Sequence, residues 1–382
     1  MLKFHSLRVA DVQPDADDAV ALALDVPDEL RIEYAGLPGQ HVVLKAEIEG
    51  QEQRRTYSLI NTPGEWPLRI VARVHPQGRM SRYLAQDIKV GDRIDVLPPN
   101  GSLTPRQAPA DATARAARLY VAFAAGCGIT PVLSIAKSIL QADERSRVIL
   151  FYGNSDTGRV MCLEELLGLK DRYLERLAVH FVMSREPQEV ELYNGRIDAT
   201  RVREVAQALF KPDQVTEYFV CGPGDMIEQV SAALRQLNIG ADRIHGEHFI
   251  VADDRTTELR VAESTRGAAA AQDANVGGTG GAAAERGADM AEVTVQMDGR
   301  RRTFTMRMNA DNILEAATQA GLELPFSCRA GVCSTCRTKV ISGEVEMEQN
   351  YALEDWELQQ GYILACQSRV KTPHLELDYD EK

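Results

Sequence analysis

A chain that holds 28 consecutive residues unable to join a core must fold as more than one body, and residues 263–290, "ESTRGAAAAQDANVGGTGGAAAERGADM", are such a run. They are almost wholly Ala, Gly and small polar residues without apolar periodicity, so they read as a tether. As a flexible coil the run would span roughly 30 Å root mean square, and its glycines argue against the alternative of a weak Ala-rich helix. The 382 residues exceed one ordinary domain and divide readily around this segment.

Before the tether, two patterns follow one another. "FHSLRVADV", "AVALALDV", "QHVVLKAEI", "RRTYSLI", "LRIVARV" and "DRIDVLPP" are short strands separated by Gly and Pro turns, the spacing of a small antiparallel β-barrel. From residue 118, apolar strands alternate with helical stretches: "RLYVAFAAG" and "TPVLSIAKSILQA", "RVILFYGN" and "CLEELLGLKDRY", then "LAVHFVMS", "EYFVCGP" and "DMIEQVSAALRQL". That alternation predicts an α/β domain on a parallel sheet. After the tether come a hairpin from "AEVTVQMDG" and "RRTFTMRM" and a helix from "ADNILEAATQAG". We place the boundaries at 1–111, 112–250, 251–291 for the linker and 292–382.

The net charge of -13 argues against nucleic acid or an anionic membrane as partner, because such surfaces need clustered Lys and Arg. Apolar runs such as "LYVAFAAGCGITPVL" are broken by Gly and Pro and fall short of a membrane span. "MLKFHSLRVADVQPD" has no apolar core behind a basic segment, so the chain is expected to be cytoplasmic. Seven cysteines, an odd number, favour reduced thiols or metal ligation over a disulfide framework.

Three of them, Cys328, Cys333 and Cys336, have C-x4-C-x2-C spacing, and Cys366 follows after 29 intervening residues. This is the plant-type 2Fe-2S arrangement. Ala330, Gly331, Ser334 and Thr335 between the thiols are small enough for the backbone to wrap closely. A structural zinc site is the competing reading, but zinc motifs bring their cysteines as two short pairs or with histidines, and neither occurs nearby.

Other motifs are weak singly. In "RRTYSL", Arg55, Tyr57 and Ser58 are expected to project from one face of a strand, offering a guanidinium, a flat ring and a hydroxyl to a heterocycle with a pyrophosphate. "GRMSRYL" sets Gly78 and Ser81 before a helical run, a phosphate site at a helix N-terminus. "AAGCGITP" follows a strand and precedes a helix, with Gly126 and Gly128 allowing backbone approach to a pyrophosphate. "FVCGPGDM" puts Cys221, Gly222 and Pro223 at a sheet's carboxyl edge, and in "VMSREPQ" Ser184 and Arg185 offer a phosphate grip. Turn chemistry, a helix cap or a solvated loop would explain each motif taken alone.

In order, "RTYS", "GRMS", "GCGITP", "CGPGDM" and the four-cysteine loop resemble the ferredoxin-NADP reductase family, in the branch with a plant-type 2Fe-2S ferredoxin fused at the C-terminus. Within it, "FHSLRVADV", "LYNGRID" and "MEQNYALEDWELQQGYILACQ" resemble the reductase subunits of phenylacetyl-CoA epoxidases. Reductases of ring-hydroxylating and alkyl hydroxylating oxygenases share this architecture. The resemblance implies a flavin-binding β-barrel, a nucleotide-binding α/β domain and a β-grasp ferredoxin domain, with FAD, NADPH and a 2Fe-2S cluster as cofactors. Arg55 would bind the flavin pyrophosphate, Tyr57 would stack on the isoalloxazine, and Ser58 would hydrogen-bond where hydride arrives. Gly78, Met80 and Ser81 would hold the FAD phosphates. Gly126, Gly128, Thr130 and Pro131 would contact the nicotinamide nucleotide, and Cys221 would lie beside its ring with Gly222 and Pro223 shaping the pocket. Ser184 and Arg185 would take the 2'-phosphate. Glu247 and Phe249, in "IHGEHF", would close the flavin site, with Ser58, Cys221 and Glu247 as the catalytic residues. Gln77 and Ser155 depart from the family pattern at phosphate positions.

The implied activity is that of an NADPH-dependent reductase, in which a flavin splits a hydride into single electrons for the cluster. An oxygenase, in this reading a multi-subunit di-iron epoxidase, accepts them. A redox sensor or electron carrier whose nucleotide domain only regulates is the alternative. Glu344, Glu346, Glu348, Glu354, Asp355 and Glu357 fall within 14 residues without Lys or Arg, and are expected either to dock a basic partner or simply to be solvated.

Overall fold

In the computed structural model residues 3–106, 118–248, 290–353 and 355–381 are described. Among the described residues, those within 3–76 and 80–248 gather into one compact unit, and those from 290 onward, together with 77–79, into another. Most of the expected linker, the boundary at 111/112 and Phe249 lie outside the described residues.

The first unit begins with β1 (His5–Pro14), β2 (Ala19–Asp25), a short α1 (Arg31–Tyr34), β3 (His41–Ile48), β4 (Gln51–Ser58), β5 (Leu68–Arg73), α2 (Arg79–Gln86) and β6 (Arg93–Val96). The strands form an antiparallel sheet in the order β4-β3-β6-β1-β2-β5, and a bridge between Leu59 and Ile70 joins its two ends. Inward residues such as Leu7, Val9, Leu22, Leu24, Val42, Leu44 and Ile70 fill the interior, each full burial contributing about 1.5–3 kcal/mol. Tyr34 is buried with them, and its hydroxyl donates to the Val96 carbonyl at 2.8 Å.

The same unit continues with β7 (Leu119–Ala125), α3 (Ile129–Ala142), β8 (Arg147–Asn154), α4 (Leu163–Arg172), β9 (Leu177–Met183), α5 (Ala199–Ala208), β10 (Val215–Gly222), α6 (Gly224–Gln236) and β11 (Ile244–His248). All strand pairs are parallel, in the order β11-β10-β7-β8-β9. Their carboxyl ends therefore share one edge, where ligands of such sheets bind.

Barrel and sheet are held together by a polar seam. Lys137, almost fully buried on α3, donates to the Ile60 carbonyl at 3.1 Å, Glu65 at 3.1 Å and Glu165 at 2.9 Å. Arg69 joins from β5, with Glu165 oxygens at 2.9 and 3.0 Å. Asp18 bridges Arg73 of the barrel and Arg159 of the sheet domain. Lys137 is therefore tied to the strand end that follows "RTYS".

The second unit contains β12 (Met290–Met297), β13 (Arg300–Arg307), α7 (Ile313–Gln319), β14 (Arg337–Ser342), β15 (Val345–Met347), α8 (Asp355–Gln359), β16 (Tyr362–Leu364), β17 (Ser368–Val370) and β18 (His374–Asp378). The main sheet runs β13-β12-β18-β14-β16, with α7 packed on it and capped by Asn312, whose side chain accepts from the Glu315 amide. The domain begins earlier than expected: Met290 pairs with Arg307, and Ala291 is buried. These two residues belong to the sheet, not to the linker.

Candidate functional site

Ser58 is the last residue of β4, and it faces away from Tyr57. Successive strand residues point to opposite sides, so the three residues of "RTYS" do not share one face as expected. Arg55 and Tyr57 do share one and are half-buried, while Ser58 is 2% exposed. Its Oγ is buried without a hydrogen-bond partner among the described residues. The Arg55 Nη1 donates to the Arg54 carbonyl at 2.8 Å, and burial pushes the Tyr57 phenol above its ordinary pKa, so the ring stays neutral. A flat neutral ring, a cation and an orphaned hydroxyl at one strand end fit a flavin.

Ser81 lies inside the first turn of α2 and not before it, and its Oγ accepts from the His75 amide at 3.1 Å. The hydroxyl thus ties down the chain entering the helix. Met80 is 1% exposed, its side chain part of the barrel core, so only its backbone remains for any contact with a ligand. Gly78 immediately precedes the helix.

At the carboxyl edge of the parallel sheet the chain turns sharply after β7. Gly126 takes φ +54°, and the Tyr152 hydroxyl donates to its carbonyl at 3.0 Å. Gly128 is required for a different reason from the expected approach to a ligand: a Cβ there would overlap the Cys221 carbonyl. Thr130 and Pro131 are buried in the first turn of α3, and the Thr130 Oγ1 donates to the Cys127 carbonyl at 2.9 Å. Both shape the loop. Cys221 and Gly222 end β10 fully buried, and Pro223 leads into α6. Burial, then the nearby Glu247 carboxylate and Cys127, push the Cys221 thiol well above its ordinary pKa, so it is a neutral group.

Asn154 ends β8, and both polar atoms of its buried side chain lack partners among the described residues. Next to it, the Ser184 amide donates to the Asn154 carbonyl at 3.0 Å and the Arg185 amide to the Ser155 carbonyl at 2.8 Å. Glu186 accepts from the Thr157 amide at 2.6 Å and from its hydroxyl at 2.8 Å, clamping the two loops together. The Ser184 and Arg185 side chains stay exposed. Glu247 sits on β11 beside Cys221, with Oε1 3.1 Å from His41 Nδ1 and Oε2 buried without a partner among the described residues. His41 and the Asn154 amide were missed from sequence, since a lone polar residue at a strand end carries no spacing signal.

In the second unit the cysteine loop needs left-handed backbone at Arg329, Gly331 and Ser334. A Cβ at Gly331 would crowd the Gln349 carbonyl at 2.9 Å. Amides point at the sulfurs: Cys328 N to Cys333 Sγ at 3.4 Å, and Ala330 N and Val332 N to Cys328 Sγ at 3.4 and 3.5 Å. The contact with Cys333, aided by those amides, pulls the Cys328 thiol down to about 7 against its burial. Cys336 and Cys366 act on each other in the same way, their proximity raising the Cys336 thiol and lowering that of Cys366. Gln367 donates to the Arg329 carbonyl at 2.9 Å, joining the distant fourth cysteine to the loop. Among the described residues no three Cys, His, Asp or Glu side chains converge as one ion needs. Four thiols ringed by amide donors fit a 2Fe-2S cluster.

The acidic stretch is largely balanced within the domain. Glu348 pairs with Arg369 at 2.6 Å, Glu346 with Lys371, and buried Glu357 with Arg337 at 2.8 Å. Glu354 and the Asp355 side chain lie outside the described residues. Among the described residues no helix is long and apolar enough to cross a membrane.

Three family models match in tandem: an oxidoreductase FAD-binding domain over residues 8–104, an oxidoreductase NAD-binding domain over 123–232 and a 2Fe-2S iron-sulfur cluster binding domain over 295–371. A component of the 1,2-phenylacetyl-CoA epoxidase of Escherichia coli (strain K12) is 36% identical, across 100% of this chain and 99% of that protein. The ferredoxin reductase component of 3-ketosteroid-9-alpha-monooxygenase from Rhodococcus rhodochrous is 31% identical across 98% and 96%. Among solved structures, phthalate dioxygenase reductase superimposes with TM-score 0.52 at 24% identity, covering 98% of both chains. An intact type IV self-sufficient cytochrome P450 monooxygenase gives 0.63 at 19%, covering 98% of this chain and 41% of that one. Both structural likenesses speak for the fold, in the order of parts expected from the motifs.

Proposed function

Because the chain belongs to the family of flavin and 2Fe-2S reductases that serve oxygenase systems, we propose that it draws electrons from NADPH and delivers them to a di-iron epoxidase acting on phenylacetyl-CoA. When bound, FAD takes a hydride's electron pair and the 2Fe-2S cluster carries electrons one at a time. The residues supply binding, orientation and charge. Arg55 neutralises the flavin pyrophosphate and Tyr57 offers its ring for stacking. Ser58 donates its orphaned hydroxyl to the flavin edge, and Gly78, the Met80 backbone and Ser81 line the phosphate entry. Gly126, Gly128, Thr130 and Pro131 form the turn that receives the nucleotide, with Gly222 and Pro223 opposite. The neutral Cys221 thiol packs beside the nicotinamide without placing a charge there, and Glu247 borders the same space. Phe249 is the proposed ring over the flavin. Cys328, Cys333, Cys336 and Cys366 would hold the 2Fe-2S cluster through their thiolates.

The observation that carries this reading is a group of buried polar atoms without partners among the described residues, Ser58 Oγ, Glu247 Oε2 and the Asn154 amide, in the unit matched by the FAD and NAD models. Buried polar groups are almost always paired, so such atoms support ligands completing the structure there. For NADPH over NADH, support comes from Arg185. Its side chain is exposed and has no ion-pair partner among the described residues, while the neighbouring Glu186 is engaged by Thr157.

Purified protein should show flavin and cluster absorbance bands that both bleach with NADPH under anaerobic conditions; a protein that binds flavin but is not bleached would reject the reductase reading in favour of a sensor or carrier. Coupled turnover with the epoxidase subunits on phenylacetyl-CoA tests the partner. The 31% identity to the ketosteroid component supports a second reading, another oxygenase as acceptor, which predicts turnover only with that oxygenase.

A further inference from the structure

Two strand registers place four of the site's residues in one row. On the barrel side, His41 of β3 stands directly opposite Ser58 of β4, and directly opposed residues share a face of the sheet. On the sheet side, Glu247 of β11 stands beside Cys221 of β10. The two sides of this row meet where His41 Nδ1 and Glu247 Oε1 lie 3.1 Å apart. The row therefore runs Ser58, His41, Glu247, Cys221, with a hydrogen bond at its centre.

The imidazole is fixed unusually well. His41 is fully buried, and its backbone exchanges two hydrogen bonds of 2.9 Å with Asn100. Gly101, at φ +124°, lies against the ring, and a Cβ there would come within 2.9 Å of Nδ1. A histidine clamped this way keeps its Nδ1 aimed at Glu247. Burying such a pair is costly unless the geometry is good, so a role beyond general stability is expected of it.

The geometry points to His41 as a positioning residue that sets, through Glu247, the spacing between the flavin edge at Ser58 and the nicotinamide pocket at Cys221. This rests on the proposed roles of Ser58 and Cys221. Hydride transfer requires the donor and acceptor carbons and nitrogens in near contact, and a displacement of about 1 Å costs roughly 100-fold in rate. Transfer of single electrons onward is far less sensitive to such a shift, so the device should act on one step only.

The test compares His41→Phe, which fills the niche without a donor, with His41→Asn, whose side-chain amide restores a donor near the Nδ1 position. In anaerobic single-turnover mixing of the holoenzyme with NADPH, His41→Phe should slow flavin bleaching roughly 100-fold and enlarge the isotope effect with 4-deuterated NADPH. Affinity for NADPH and electron transfer from photoreduced flavin to the cluster should stay near native, and His41→Asn should recover most of the hydride rate. If His41→Phe does not retain flavin, Gly101→Ala displaces the same ring and takes its place. Glu247→Ala combined with His41→Phe should be no slower than the worse single variant, because both break one bond. A spectroscopic arm needs no turnover: in the oxidised holoenzyme labelled with 15N-histidine, a protected Nδ1–H resonance should be present in the native chain and lost in Glu247→Ala. Native hydride rates in His41→Phe, additive losses in the double variant, or absence of the protected proton would each overturn the inference. A native protein whose flavin NADPH does not bleach would instead overturn the function, while the protected proton would still report on the pair.

Discussion

In the cluster domain three of the four candidate ligands fall within nine residues, Cys328 to Cys336, whereas Ser58 and Cys221 enter their site from two different sheets. The cysteine loop carries its own chemistry and needs the fold mainly to deliver Cys366. The proposed flavin and nucleotide site would exist only once the barrel and the parallel sheet have docked through the Lys137 seam. The difference teaches that local damage should act on one half alone, while the other half is vulnerable along its whole interface.

The sharpest separation should come from Cys366→Ser. Loss of the fourth ligand should abolish cluster absorbance and electron delivery to the oxygenase, while NADPH oxidation with ferricyanide, which takes electrons from the flavin, persists near native levels. Loss of both activities would break the comparison. Next, Gly128→Ala forces a methyl into the Cys221 carbonyl, and overpacking of this kind costs about 1–3 kcal/mol. Thermal unfolding and NADPH-driven flavin bleaching should both suffer, with the cluster spectrum unchanged.

If Arg185 holds the 2'-phosphate as proposed, Arg185→Ala should cost a charge-assisted contact of about 1.5–3 kcal/mol and raise the KM for NADPH roughly 10- to 100-fold while leaving that for NADH nearly unchanged. Equal effects on both nucleotides would reject the 2'-phosphate role. The smallest effect concerns the seam. Burial works to raise the Glu65 carboxyl, but the Thr62 amide, Lys137 and Arg69 hold it below its ordinary 4.5. A carboxyl depressed in the folded state contributes stability that is full above 4.5 and is lost as pH falls through the lower folded value. Glu65→Gln should therefore flatten the decline of Tm below pH 4.5 for the first unit, and leave the pH response of the cluster domain as it was.

What could be seen in the chain follows the same division. Cysteine spacing, barrel strands and the βα alternation are short-range signals, and the structure carries them nearly where expected. Helix α5 went unseen because "ATRVREVAQA" buries only Val202, Val205 and Ala206, too thin a stripe among charges to stand out. "RTYS" was recognised as a motif but its faces were misjudged, since Tyr57 and Ser58 are neighbours on a strand. Gly128 was singled out for approach to a ligand, and it is the Cys221 carbonyl, 93 residues later in the chain, that demands it. The acidic stretch looked unbalanced because Arg337, Arg369 and Lys371 lie outside the 14-residue window and reach it only through the fold.

The topology of the second unit has a consequence for how the cluster is made. β18, at residues 374–378, is the central strand of its sheet, lying parallel to β12 on one side and antiparallel to β14 on the other. Until it emerges from the ribosome, the hairpin that opens the domain and the strand that follows the cysteine loop have nothing between them. The scaffold that holds four thiols in register is thus complete only after β18 has followed the cysteine loop out, and iron and sulfide should be loaded after that strand is made rather than as the cysteines appear.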